Sequence, residues 1–123
     1  DQIALDLVRG SQRTVAIHGC EGNESVAYIG GSDDRLIELI TESLEDIGIS
    51  VREAPHHISG TQENNIVNMT QTQGGVQLEL TAQLRKELFK NRKSSRKNRE
   101  NKDNWDDLMY DFADATIRAL QQV

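Results

Sequence analysis

At 123 residues the chain is sized for one domain with a modest core. Its 20 acidic against 14 basic residues give a formal charge of −6, which argues against a general nucleic-acid binder. A single cysteine, Cys20, excludes an internal disulfide, and no apolar run approaches the ~18 residues that span a bilayer.

Ile3, Leu5, Leu7 and Val8 read as the end of a helix that Gly10 stops. The chain has no initial Met and no signal-peptide pattern, and it opens with this helical pattern already under way. Arg13 to His18 is a short apolar run, expected as a buried central strand, and His18-Gly19-Cys20-Glu21-Gly22 is a glycine-rich loop after it. Ser25 to Ile29 reads as a second strand turned by Gly30-Gly31. Ser32, Asp33 or Asp34 can cap the next helix, whose apolar face is Leu36, Ile37, Leu39, Ile40, Leu44 and Ile47 and whose stop is Gly48. Ile49 to Glu53 is a third strand, ended by Pro55.

Residues 56–75 form a long polar connection containing His56 and His57. In Gly74-Gly75-Val76-Gln77-Leu78-Glu79-Leu80 apolar and polar residues then alternate, the period of a strand, and Ala82, Leu84, Arg85, Leu88 and Phe89 follow at helical spacing. A strand feeding a helix puts its last residues at the carboxyl edge of a sheet, where open α/β proteins build their sites. Glu79 stands there among Val and Leu, a setting suited to a general base. Periodicity alone favours the plainer alternative, Glu79 facing solvent on an edge strand.

Residues 90–99 hold six basic and no acidic residues. Trp105, Leu108, Met109, Phe112, Ile117 and Leu120 predict a last amphipathic helix on the sheet. Strands alternating with helices make the chain α/β, with helices on both faces of a parallel or mixed sheet.

Three groups of residues could carry chemistry. His18 at a strand end suits a metal ligand or an acid/base group, and equally a hydrogen-bonded structural histidine. The adjacent His56 and His57 diverge on extended backbone and make a poor clamp. Cys20 lies close enough to His18 for metal contact, yet a small packed thiol is the simpler reading.

The runs Thr14 to Cys20, Gly30 to Asp33, Gly60 through Asn65 to Asn68, and Gly75 to Leu80 with Leu84-Arg85 resemble the phage poly-γ-glutamate hydrolase family. Bacterial relatives in that family are often labelled phage-related replication proteins. The resemblance runs from residue 1 to about residue 89. It implies a three-layer α/β/α fold with a mixed sheet, similar to zinc carboxypeptidases, with zinc at the carboxyl edge.

By position, the resemblance matches His18 to the family's last zinc ligand and Glu79 to its general base. It implies hydrolysis of γ-glutamyl linkages by water that zinc activates. Asn65 and Asn68 match polar positions of the substrate cleft, where hydrogen bonds to their own backbone are an equal alternative, and Arg85 is the matching substrate-binding cation. Met69 stands where relatives tend to carry Arg, so a carboxylate contact is not expected at that position. The family's first two zinc ligands have no counterpart here, so the chain is expected to be the C-terminal portion of a single hydrolase domain. A basic insertion at about 90–103 completes the expected layout.

The implied partner is an acidic polymer such as poly-γ-glutamate. A bacterial or phage-encoded protein made in the cytoplasm and able to act outside the cell fits that partner. Without residues 90–99 the chain carries 8 basic against 20 acidic residues and would repel a polyanion, so the run reads as a recruiting cationic arm or, more simply, as a solvated flexible insertion. Two other function classes stand beside the hydrolase. One is a non-catalytic binding or adaptor relative, favoured by the incomplete ligand set. The other is a replication accessory protein, disfavoured because the run lacks aromatic residues for base stacking.

Overall fold

Gly31 and Gly75 fix how the sheet is assembled. The structure, a computed structural model, describes residues 2–55, 68–71 and 74–123. The elements are α1 (Gln2–Arg9), β1 (Val15–Cys20), β2 (Ala27–Gly31), α2 (Asp34–Asp46), β3 (Val51–Glu53), β4 (Val76–Thr81), α3 (Ala82–Glu87) and α4 (Asp107–Gln121). Among the described residues the strands form one mixed sheet in the order β1-β4-β2-β3, with β2 antiparallel to β4 and the other pairs parallel. Gly30 and Gly31 belong to β2 rather than to a turn beyond it. At Gly31 (φ +125°) an added Cβ would meet the Gly75 carbonyl oxygen at 2.1 Å, so only glycine permits this approach. That same carbonyl accepts hydrogen bonds from the Ser32 and Asp33 amides, at 3.0 and 3.2 Å.

The predicted stripe of α2 is the centre of the core: Leu36, Leu39, Ile40 and Leu44 are buried. Asp33 caps its first turn by accepting from the Leu36 amide at 3.1 Å, and Gly48 (φ +88°) lies just beyond its end. Against α2 packs α4, capped by Asp106 accepting from the Leu108 amide at 3.0 Å. Its buried stripe is Phe112, Ala115, Thr116 and Ala119 at i, i+3, i+4 and i+7. Trp105 lies outside the helix and Ile117 is exposed, so two of the predicted apolar positions do not face the core. The small residues Ala115 and Ala119 occupy the contact instead, where counting large hydrophobic side chains misses them. Ala27, Ile29, Val76, Leu78 and Leu80 supply the sheet's side of the same core. Each fully buried leucine there is worth ~1.5–3 kcal/mol relative to exposure.

Two strands differ from the plainest reading of their patterns. β4 is buried along its whole length in the interior of the sheet, which overturns the reading of Glu79 as a solvent-facing residue on an edge strand. β1, expected as central, is an edge strand of the described sheet, with Ile17 53% exposed and His18 exposed. An apolar run reports only that a segment can be covered, not how many neighbours it has. Ile49 is buried, but the third strand itself starts at Val51.

The basic run is folded. Residues 90–104 descend through successive turns, among them Lys93 N–H to Lys90 O at 3.1 Å and Arg99 N–H to Ser95 O at 2.9 Å. The excursion closes at its base through a Phe89–Trp105 bridge and the Asp106 amide donating to Leu88 O at 2.9 Å. Trp105 Nε1 donates to Arg99 O at 2.8 Å, and the Lys102 ammonium lies 5.9 Å from the indole centroid.

Candidate active site

The junction from β4 into α3 organises the carboxyl edge. Thr81, the last residue of β4, is buried, and its hydroxyl does three things. It donates to Glu24 O at 2.6 Å and accepts from the amides of Val26 and Leu84, both at 3.2 Å. The last of these caps α3. One hydroxyl thus binds the strand end, the start of the helix and the loop leading into β2. The Gln83 amide adds a bond to Gly22 O at 3.2 Å, which draws the glycine-rich loop over the end of β4.

Leu78 and Leu80 belong to the core beneath α2 and α4, so alternation turns Gln77 and Glu79 to the opposite face. Register then builds a row across the sheet on that face. His18 of β1 is the partner of Glu79, Tyr28 of β2 is its partner on the other side, and Arg52 of β3 is the partner of Tyr28. Neighbouring strands lie about 4.7–4.9 Å apart, which sets the His18 imidazole and the Glu79 carboxylate on adjacent positions of that face. Glu79 is 8% exposed, whereas His18 is open to solvent. The carboxylate is therefore held and partly desolvated, and the imidazole is accessible.

Gln77 makes the direct contact to this carboxylate. Its Nε2 donates to Glu79 Oε1 at 3.2 Å, along the strand. The register partners of Gln77 are Ala16 and Gly30, small residues that leave its side chain room to turn that way. Sequence reasoning passed over Gln77, although the i, i+2 spacing that puts it on the face of Glu79 was legible.

Arg85, expected as a substrate-binding cation, reaches back from α3 to the end of β1. Its guanidinium donates to Cys20 O at 3.1 Å and lies flat against Gly19, where a Cβ would fall 2.8 Å from its central carbon. Burial, and after it the charge of Glu79, push the Cys20 thiol up against a smaller opposing pull from Arg85. Cys20 is half-buried and behaves as a packed thiol. At the far end of the row Arg52 pairs with Glu24 at 2.9 Å in an exposed contact, of little weight for stability.

The structure thus brings together Glu79 and His18, with Arg85 one residue beyond His18 at the same strand end. Asn68 is buried, as a cleft-lining or loop-stabilising residue would be. Asn65, His56 and His57 lie outside the described residues. An accessible imidazole beside a held carboxylate is compatible in kind with part of a zinc site, one residue type being that of a ligand and the other that of a neighbouring base. Among the described residues no three His, Cys, Asp or Glu side chains converge.

Comparison with known proteins identifies the family and the fold. The family profile for poly-gamma-glutamate hydrolase matches residues 1–115. The SPbeta prophage-derived UPF0714 protein YoqZ of Bacillus subtilis strain 168 is 34% identical over 88 residues, covering 70% of this chain and 32% of that protein. UPF0714 protein YmaC of the same strain is 30% identical over 100 residues, covering 76% of this chain and 43% of its own length. Among solved structures, a bacteriophage poly-gamma-glutamate hydrolase superposes with a TM-score of 0.91 at 28% identity, over 99% of this chain and 58% of that one. A zinc-free apo form of YNDL shares the fold, with a TM-score of 0.88 at 24% identity over 98% of this chain and 59% of its own. The α/β fold with a mixed sheet is therefore common to all three structures, and the chain spans less than two thirds of the length of these relatives. On the match over residues 1–115, the chain belongs to the poly-γ-glutamate hydrolase family.

Proposed function

We propose that the protein of which this chain is part hydrolyses γ-glutamyl amide bonds of an acidic polymer, with Glu79 as general base and His18 as a zinc ligand. The observation that supports this reading is the register pairing of His18 with Glu79 on the face opposite the helices, next to the carboxyl ends of β1 and β4. Zinc, when bound, would supply Lewis-acid polarisation of the scissile carbonyl and would acidify water. Glu79 removes a proton from the attacking water and returns it to the leaving amine, so its own charge is restored in each turnover. Its 8% exposure keeps bulk water from competing for that proton. Arg85, fixed at the end of β1, is placed to meet a substrate carboxylate, and Asn65 and Asn68 are assigned to the polar lining.

Zinc content of the full-length protein, followed by product analysis on γ-linked and α-linked polyglutamate, tests the proposal. Release of γ-linked fragments that stops on chelation and resumes on adding zinc supports it. An apo protein that cleaves equally well removes zinc and His18 from the mechanism, and a zinc-loaded one that cleaves neither polymer overturns the hydrolase reading and leaves a non-catalytic binding role.

A further inference from the structure

The charge of this chain is sharply segregated. Residues 85–99 carry eight of the fourteen Lys and Arg, against the one carboxylate Glu87; the remainder holds six basic and 19 acidic residues. Glu87 is already engaged, accepting from Ser25 Oγ at 2.7 Å and from Gln83 Nε2 at 2.9 Å. Beside this basic surface lies a cleft of about 360 Å³ between α3, the 89–105 excursion and α4. Leu80, Leu88, Phe89 and Met109 give it an apolar lining, and Arg85, Lys86 and Arg99 bring three cations to it. All three cations are exposed. Arg85 is shared with the candidate active site, because its guanidinium is held on Gly19 and Cys20, next to His18.

We propose that this cleft is a second anion-binding subsite, which holds carboxylates of an acidic polyamide beyond the bond being cut. The chemistry of both surfaces fits such a ligand. A glutamyl polymer alternates a carboxylate with a pair of methylenes, and the cleft offers Lys86 and Arg99 for the first and Leu88, Phe89 and Met109 for the second. Arg85 connects the cleft to the end of β1, so one chain could contact Glu79 at one unit and Arg99 at another. A local positive field on an otherwise acidic protein also confines a polyanion to this side. The subsite depends on the proposed hydrolase reading only for the direction in which the polymer runs; its ligand chemistry is measured without turnover.

Trp105 is the only tryptophan of the chain, and its indole donates to the backbone carbonyl of Arg99, so its fluorescence reports on the segment that carries Arg99. The full chain is titrated with a γ-linked glutamate oligomer of about six units, an α-linked one of equal length, and a single-stranded oligonucleotide. The γ-linked oligomer is expected to give a saturable change that weakens steeply with salt. Replacing Lys86 and Arg99 together by Ser is expected to lower its affinity at least tenfold and flatten the salt dependence, while the pair Lys86→Arg and Arg99→Lys keeps affinity within about threefold. Lys97→Ser, a change at an exposed basic residue outside the cleft lining, is expected to bind within about threefold of the wild type, which separates this subsite from the overall charge of the run. Unchanged affinity in the Ser variant overturns the proposal, as does the absence of any saturable change. Tighter binding of the oligonucleotide would also overturn it and assign the cleft to nucleic acid. Should Glu79→Gln hydrolyse at the wild-type rate, the hydrolase reading fails while the binding result stands.

Discussion

Gln77 holds one oxygen of Glu79, two residues further along a strand buried from end to end, through a 3.2 Å hydrogen bond. A base fixed through Oε1 has Oε2 left to meet water, and a donor of this kind costs no reorganisation during the reaction. Glu79→Gln in the full-length protein should leave zinc content near normal and lower kcat at least ~10²-fold. Gln77→Met, similar in length but unable to donate, should lower kcat by about tenfold with a smaller change in KM. In the Glu79→Gln background the same change should have little effect, since the group it orients is gone. Equal losses in both backgrounds would show that Gln77 acts on the fold rather than on Glu79.

Among the described residues His18 is exposed on an edge strand, so its removal should cost little stability, and as the proposed ligand it should affect metal binding. His18→Ala is expected to lower zinc affinity of the full-length protein by at least tenfold, with a melting temperature of the metal-free form within about 2 °C of wild type. Calorimetric titration with zinc and thermal unfolding in chelator read the two effects separately. Zinc binding of wild-type strength in the variant would remove His18 from the ligand set.

Thr81→Ala removes the cap of α3 and leaves the Val26 and Leu84 amides without their hydroxyl acceptor. A destabilisation of about 1–2 kcal/mol is expected in urea unfolding. Thr81→Ser, which keeps the oxygen, should recover most of it. Equal losses in both variants would place the contribution in the methyl group instead.

Gly31→Ala and Gly48→Ala separate dihedral strain from collision. Both residues have positive φ, but a Cβ at Gly48 meets nothing within 4 Å, while at Gly31 it falls 2.1 Å from the Gly75 oxygen. Gly48→Ala should cost ~1 kcal/mol, and Gly31→Ala at least ~2 kcal/mol more, because β2 and β4 must move apart. Similar values for the two, measured by chemical denaturation, would show that the sheet relaxes freely at this point.

The elements were legible where a period and a cap coincided. The stripe Leu36 to Leu44 between Asp33 and Gly48 predicted α2, and the alternation from Val76 to Leu80 predicted β4. Strand neighbours were not legible, since nothing within β1 or β4 records how many strands flank it; among the described residues β4 is interior and β1 is an edge. α4 shows a related limit: Ala115 and Ala119 are buried on the helix that packs against α2, and their small size is a property that hydropathy does not weigh. For the site, Glu79 and His18 were found separately, and only register showed them to be neighbours. Gln77 was missed because a glutamine has no distinguishing chemistry until its partner is known.

The closure of the basic excursion has a consequence for how this surface can vary. Phe89 pairs with Trp105, and Leu88 O accepts from the Asp106 amide, so the ends of residues 90–104 are joined independently of what lies between them. The exit of α3 and the entry of α4 are set by that clasp, and a change in the length of the enclosed segment costs only slowly growing loop-closure entropy. The segment is therefore a replaceable handle: its charge can be rewritten, or its residues exchanged for those of a relative, without disturbing the strand that carries Glu79. On the proposed reading, polymer recognition by this segment and chemistry at Glu79 could be altered separately, because the clasp at Phe89 and Trp105 keeps the two apart.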